Sequence, residues 1–462
     1  MHTTSPHPDA AASALSGAKH VPLWLDDPGR PAPRPALTGD AAADLVIVGA
    51  GFTGLWTAVR AKERDPGLDV LLLEGDRIAE HASGRNGGFC NASLTHGSAN
   101  GRERWPEEYD TLHRLGMDNL DAIAETIARY GIDCDFTRGA SLNVATREHQ
   151  IAAFQPDLPG FLDQDAVRRL VDSPTYLAGR MDSDESVLVN PARLAWGLAA
   201  VAEDLGVRIA EHTPVERITD HQDAVVLHTP QGRVRARQVA LATNVFTSLL
   251  GWRRYAVVPV YDYVLATEPL APEQHRSIGW DRQFGISDTG NRFHYYRRTP
   301  DGRILWGGYD AVYHYGRSIR PEHEDREKTH TLLADQFFET FPQLKGVRFT
   351  HRWAGVIDTS TRFCAFYGLT RNDRVAYAAG FTGLGVTAAR FAADVMLDLL
   401  SGEPTERTRL RMVRHQGVPF PPEPLAWIGI QITRWSMARE DRTGRRNLWL
   451  RLLDRLGLGF GS

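Results

Sequence analysis

The feature that most narrows what this chain can fold into is Gly49-Ala50-Gly51-Phe52-Thr53-Gly54, standing directly behind the apolar run Leu45-Val46-Ile47-Val48. That run is too brief for a helix and ends in glycine, which suits a buried parallel strand. Beyond Gly54 the apolar spacing turns helical, with Leu55, Ala58, Val59 and Lys62 on one face, and Val70 to Leu73 reads as a second strand, so the segment is β-α-β. A bare G-x-G-x-x-G is common by chance; its place between strand and helix makes it informative. So does Glu74, which ends the second strand 20 residues after Gly54, where an acid can hold a ribose hydroxyl. Gly49 then permits the tight turn, Gly51 the approach of backbone to a pyrophosphate, and Gly54 the close packing of helix on strand, with the phosphates on the helix N-terminus. Glu74 disfavours a 2′-phosphate and therefore NADP.

Two further glycine-rich stretches follow. His81-Ala82-Ser83-Gly84-Arg85-Asn86-Gly87-Gly88 offers small side chains, open backbone and one guanidinium, enough to wrap a long cofactor, although ordinary turns use the same residues. Tyr377-Ala378-Ala379-Gly380-Phe381-Thr382-Gly383-Leu384-Gly385-Val386 is another strand, turn and helix start, whose partial positive charge suits a reduced flavin anion; a plain packing turn has the same pattern.

Composition excludes several classes. With 53 basic against 57 acidic residues the net charge is −4, which gives no field for attracting nucleic acid. Lys19, Lys62, Lys328 and Lys345 are the only lysines, so Schiff-base chemistry has few candidates. Cys90, Cys134 and Cys364 are odd in number and far apart, which supports neither a disulfide framework nor a thiolate metal site and points to a reducing, cytoplasmic setting. No basic segment followed by an apolar run opens the chain, and no stretch is long and apolar enough for a membrane span. Oligomeric state is left open.

Residues 1–42, broken by Pro22, Pro28, Pro31, Pro33 and Pro35, read as a flexible arm in which Leu23, Trp24 and Leu25 dock. Helical regions are expected from Glu107 to Tyr130, from Gln164 to Leu170 and from Asn190 to Gly206, the last with Asn190 as N-cap before Pro191. Strands dominate from Val207 to about Tyr313, with period-two alternation near Val257 to Leu265, which predicts a mainly antiparallel sheet. After Gly402 the chain is proline-rich, then helical at Leu425 to Met437 and Leu448 to Leu456. There Arg439, Arg442, Arg445 and Arg446 stand beside Trp435 and Trp449. Either a membrane or partner contact or a solvated face fits, and Glu440, Asp441 and Asp454, interrupting the charge, favour the solvated face.

GAGFTG, LLLEGD, SGRNGGF and AAGFTGLGV, in this order, resemble the FAD-dependent amine and amino-acid oxidoreductases of the D-amino-acid oxidase and glycine oxidase superfamily. SGRNGG and Tyr130-Gly131-Ile132-Asp133-Cys134-Asp135-Phe136 are most similar to the gamma-glutamylputrescine oxidase branch. The resemblance covers roughly residues 43 to 402 and implies an α/β plus α+β fold, a Rossmann-type FAD domain interleaved with an antiparallel-sheet substrate domain. It implies FAD segments at 43–100, 186–254 and 350–405, substrate segments at 101–185 and 255–349, and a helical extension at 406–462. By motif, Gly49, Gly51, Phe52, Thr53 and Gly54 would face the pyrophosphate, and Glu74 and Gly75 the adenosine ribose. Ser83, Gly84, Arg85, Asn86, Gly87 and Gly88 would follow the middle of FAD. Val215 would meet the adenine, with Ala242 and Thr243 in the family's A-T-G-like segment; Gly380, Thr382, Gly383, Leu384, Gly385 and Val386 would lie against the flavin ring. Relatives that attach FAD covalently use a His where this chain has Asn86, or a Cys several residues from Cys364, so non-covalent FAD is expected. Some oxidases of the family place a Lys beside flavin N5, whereas Arg303 to Tyr309 contains none.

The expected chemistry is oxidation of an amine C–N bond to an imine by hydride transfer to FAD. The acceptor is oxygen, giving hydrogen peroxide, or, in a dehydrogenase, a quinone or protein; a non-catalytic flavoprotein is the third reading. The substrate is a small amine or amino acid whose ammonium must lose its proton before the lone pair can stabilise the developing imine. Candidate catalytic residues are Tyr261, Tyr263, Tyr309 and His351; candidate substrate contacts are His96, Tyr295, Arg297, Trp306 and Trp353. Alternation lets only one of Tyr295 and Tyr296 face inward, and tyrosines on such a sheet more often pack than bind.

Overall fold

The computed structural model describes residues 8–458. Strand Ala41–Val48 lies between Val70–Leu73 and Gly232–Leu241, both parallel to it. Arg208–Ala210 and Val375–Ala379 extend the parallel order on either side, and Phe366–Thr370 closes one edge antiparallel. Both faces are covered, which is why the strand reads as one continuous apolar run. Leu45 and Ile47 join the core under helices Phe52–Arg64, Pro191–Asp204 and Gly385–Ser401, whereas Val46 and Val48 join the core under strands Arg217–His221 and Ala224–Thr229. Asn190 caps the second of these helices, its side chain accepting from Arg193 N at 3.2 Å with Pro191 behind it.

The second sheet runs, in order, Phe349–Ser360, Val257–Thr267, Ile304–Gly308, His294–Arg298, Gly285–Asp288, Thr137–Ala145, Ala178–Leu188 and Phe89–Asn91. Its pairings are antiparallel except for Gly285–Asp288 beside Thr137–Ala145. Period-two alternation divides its side chains between two cores. Tyr261, Tyr263, Leu265, Tyr296 and Trp306 go under helix Glu327–Thr340 with Phe337 and Phe341. Val264, Ala266, Leu305 and Trp353 go to the opposite face and merge with the core of the dinucleotide-type domain.

The expectation of a flexible arm is corrected from Pro8 onward. Pro8–Leu15 is a helix whose Ala11, Ala14 and Leu15 are buried with Phe337 and Phe338. Lys19 exchanges backbone hydrogen bonds with Thr350 and Arg352, and Arg34 N donates to Glu211 while its guanidinium pairs with Glu203. The prolines prevent regular structure, but apolar anchors and hydrogen bonds to the body offset the entropy of ordering the chain. Residues 1–7 of that expectation lie outside the described residues. The C-terminal helices span Leu425–Thr443 and Leu448–Arg455.

Candidate active site

The motif loops meet at the carboxyl ends of the parallel strands. Gly49 adopts φ +103°, and a Cβ there would stand 2.5 Å from Ala242 O; at Gly54 it would stand 1.8 Å from Gly49 O. Those two glycines are therefore obligatory, one for the turn against Ala242-Thr243 and one for seating the helix on the strand. At Gly51 a Cβ would meet Ser83 Oγ at 2.8 Å, and the same hydroxyl accepts from Phe52 N at 2.9 Å. Ser83 thus ties the first glycine loop to the second. The first turn of helix Phe52–Arg64 contains no acidic residue, which leaves its positive end uncompensated.

Glu74 is held by Ala50 N (2.5 Å) and Asp76 N (2.9 Å), and burial raises its carboxyl above the usual range. Thr213 N donates to Glu74 O and His212 N to Asp76 O, so the segment carrying half-buried Val215 runs alongside. Gly75 meets only Pro214, at ordinary contact distance. Two anion-tolerant helix starts, close backbone approach and an acceptor carboxylate fit a dinucleotide such as FAD.

In the second loop, Asn86 stitches the turn, donating to Ala82 O and Ser83 O and accepting from Gly88 N. Trp24 Nε1 donates to Asn86 O (2.8 Å) and Trp353 Nε1 to Arg85 O (2.9 Å). A Cβ on Gly84 would meet Ala79 O at 2.2 Å and one on Gly88 would meet Val189 O at 2.1 Å, so small residues are needed here for packing as much as for any ligand. The Arg85 guanidinium, the one cation of this loop, is held by the Glu324 carboxylate and the carbonyls of Glu80 and Ala354. A cavity of about 140 Å³ lies at this junction, lined in part by Arg85, Phe246, Pro321, Glu324 and Val356. A larger one, about 290 Å³, lies away from the motif loops among Ala42, Asp69, Asp223 and Arg235.

The third loop is clamped by a residue that sequence reasoning missed. Asp358 is 1% exposed, and its carboxylate accepts from Gly380 N (2.6 Å) and Phe381 N (3.1 Å); burial nevertheless pushes it up to about 7. Thr382 bonds to Gly380 O and to Ser360 N, while at Gly383, φ +91°, nothing lies within 4 Å of a Cβ position. Helix Gly385–Ser401 begins here with no acid in its first turn and follows Leu384, with Val386 buried in the core behind it. His96 lies against Thr382, its pKa lowered by burial.

On the sheet, the face turned to these loops carries Asp262, Tyr295, Arg297, Gly307, Gly355 and Trp353. Tyr295 packs against Gly87 and Gly307, meets Phe89 edge-on at 5.8 Å, and donates to Asp262 Oδ2 at 2.5 Å. Burial pushes Asp262 up to about 6 and Tyr295 well above its usual value. Arg297, 2% exposed and lowered to about 10 by burial, donates to Val189 O (2.7 Å) and Gly88 O (3.3 Å) beneath the Trp24 ring; it supports the loop where a substrate contact was expected.

Four expected site residues point the other way. Tyr261 and Tyr263 donate to the carbonyls of Arg320 and His323, Trp306 stacks among His294, Tyr296 and Phe337, and Tyr309 stacks on His294 under Arg292. One step along a strand reverses the face, so taking the tyrosines on Val257–Thr267 passed over Asp262 between them. The available signal was the one ionisable residue among Val258, Val260, Val264 and Ala266. His351 shares the loop-side face, but both ring nitrogens are taken, by Asp26 (3.0 Å) and Thr350 (2.8 Å), which corrects its catalytic reading.

Fold and loops together fit a dinucleotide-binding protein built on two sheets. Residues 44–399 match the DAO family model, described as FAD dependent oxidoreductase. This chain belongs to that family and is an FAD-dependent enzyme. It is 31% identical to gamma-glutamylputrescine oxidoreductase of Escherichia coli (strain K12), over 84% of this chain and 90% of the relative. A probable oxidoreductase of Haemophilus influenzae is 28% identical over 80% and 85% respectively. The crystal structure of glycine oxidase from Geobacillus kaustophilus superposes with TM-score 0.67 at 19% identity, covering 82% of this chain and all of that one.

Proposed function

We propose that this protein oxidises the C–N bond of a small amine or amino acid to the imine, with gamma-glutamylputrescine-like amines the first substrates to try, and that FAD is held without a covalent bond. FAD supplies the hydride acceptor when bound. The observation that carries the reading is the Asp262–Tyr295 pair, an ionisable couple on the sheet face that meets the Gly87-Gly88 loop. Asp262 Oδ receives the ammonium group and takes one of its protons, which frees the nitrogen lone pair; the Tyr295 hydroxyl fixes the carboxylate's orientation. Gly87 and Gly307 make the space that the Tyr295 ring fills, which fixes the ring, and Trp353 helps close the face to water. Gly49 to Gly54 and the helix start at Phe52 hold the pyrophosphate, Glu74 the ribose, and Gly380 to Gly385 the ring.

A dehydrogenase with a quinone or protein acceptor is the second reading. It is favoured by the positions of the lysines: Lys19 pairs with Asp26, Lys62 binds the carbonyls of Pro66 and Leu68, and Lys328 and Lys345 are exposed.

The test is anaerobic bleaching of the flavin absorbance with gamma-glutamylputrescine, putrescine, sarcosine, glycine and D-alanine, followed by air. Bleaching by an amine supports the reaction. Rapid recovery with peroxide assigns an oxidase, slow recovery the dehydrogenase, and no bleaching by any amine rejects the proposed chemistry.

A further inference from the structure

The C-terminal helices present a surface that the catalytic reading does not use. Along Leu425–Thr443, at about 100° per residue, Leu425, Ile428, Ile432 and Trp435 fall on one arc, and all four are exposed, Trp435 to 60%. Arg439 and Arg442 continue the same arc. The second helix, Leu448–Arg455, adds Leu448, 82% exposed, and Leu452, followed by exposed Leu456, with Arg451 and Arg455 between them. It packs beside the first through Trp449 Nε1 to Thr433 Oγ1 (2.9 Å) and Asn447 Nδ2 to Ser436 Oγ (2.8 Å).

The acids that break up the charge in the sequence are turned elsewhere. Asp441 accepts from Asn291 N (2.8 Å), Glu440 from Asn291 Nδ2 (3.0 Å), and Asp454 pairs with Arg446 (2.7 Å). Arg439, Arg442, Arg445, Arg451 and Arg455 are exposed, and none forms an ion pair among the described residues. The outward faces therefore combine leucine, isoleucine and tryptophan with arginines that form no ion pair among the described residues, Arg439 lying over the Trp435 ring.

We propose that this helix pair docks the protein on an anionic phospholipid bilayer, lying in the headgroup plane with the apolar arc inserted and the arginines on lipid phosphates. A second copy is a poor occupant, because a two-fold contact through this face would set five unpaired arginines against five more. No helix among the described residues is long and apolar enough to span a membrane, so the contact is peripheral. The solvated face expected from the sequence is thereby replaced: Glu440 and Asp454 offset Arg446 alone and Asp441 turns to Asn291, which leaves the other five arginines undiluted.

The test is flotation of the FAD-loaded full chain with vesicles of phosphatidylcholine alone or mixed with phosphatidylglycerol, together with tryptophan emission. The expected result is flotation and a blue shift with the anionic vesicles only, reversed by high salt. Arg439→Gln combined with Arg442→Gln should weaken partitioning about 30-fold. Trp435→Ser should reduce both flotation and the blue shift while leaving amine turnover in lipid-free buffer unchanged. Failure to float, equal flotation with neutral vesicles, or unimpaired binding by both variants would overturn the proposal. A concentration-dependent dimer without lipid, abolished by Trp435→Glu, would reassign the surface to a second copy.

Discussion

Asp358 offers the most quantitative test of how the third loop is built. Its carboxyl sits at about 7 against an ordinary 3.8, because burial outweighs the amides of Gly380 and Phe381 that it accepts from. Between these values the native state holds a proton that the unfolded chain has released, so stability contributed at this site falls as pH rises from about 4 to about 7. A shift of this size corresponds to about 4 kcal/mol in full, of which about 2 to 3 kcal/mol accrues between pH 5 and pH 8. Asp358→Asn removes the titration but keeps only one accepting oxygen, which costs about 1 to 3 kcal/mol. The variant should therefore be less stable than the parent at pH 5 and close to it at pH 8. Urea unfolding of both proteins, followed by far-UV circular dichroism at the two pH values, reads this convergence directly. Stability profiles for parent and variant that run parallel between pH 5 and pH 8 would refute the assignment of the raised carboxyl to Asp358.

Three further outcomes are expected. Gly54→Ala should yield protein with native-like circular dichroism but little flavin absorbance, since its Cβ has no room beside Gly49 O, whereas Gly75→Ala, at ordinary contact distance from Pro214, should stay yellow. Asp262→Asn should lower kcat for an amine by at least about 100-fold and abolish the rise of kcat/KM with pH through about 6, where the parent's carboxylate becomes ionised; Tyr263→Phe, on the opposite face, should leave both unchanged. Trp24→Ala should cost about 3 to 5 kcal/mol of stability and weaken FAD retention, because Trp24 is buried and its indole holds Asn86 O.

The dinucleotide-type half of the protein was legible because its constraints are local. Gly49 and Gly54 are demanded by backbone geometry within a few residues, a continuous apolar run announces a strand buried on both faces, and Asn190-Pro191 starts a helix wherever it stands. The proposed substrate wall was not legible, because facing is a global property: shifting the choice by one residue on Val257–Thr267 exchanges Tyr263 for Asp262, and only the packing of helix Glu327–Thr340 decides which side is which. The same holds for charge. Arg85 stands in the sequence as the one guanidinium of its loop, and only the fold brings Glu324, more than two hundred residues away, to meet it; likewise only the fold shows that the acids of the C-terminal helices go to Arg446 and Asn291 and leave the other arginines without an ion pair. By itself the sequence determined the turns, the strand-helix order and the cofactor class, since those follow from φ angles and periodicity along the chain. The tertiary structure alone decided which ionisable groups face the site, which face the core and which are left for another surface, because desolvation and pairing depend on neighbours that sequence distance does not reveal.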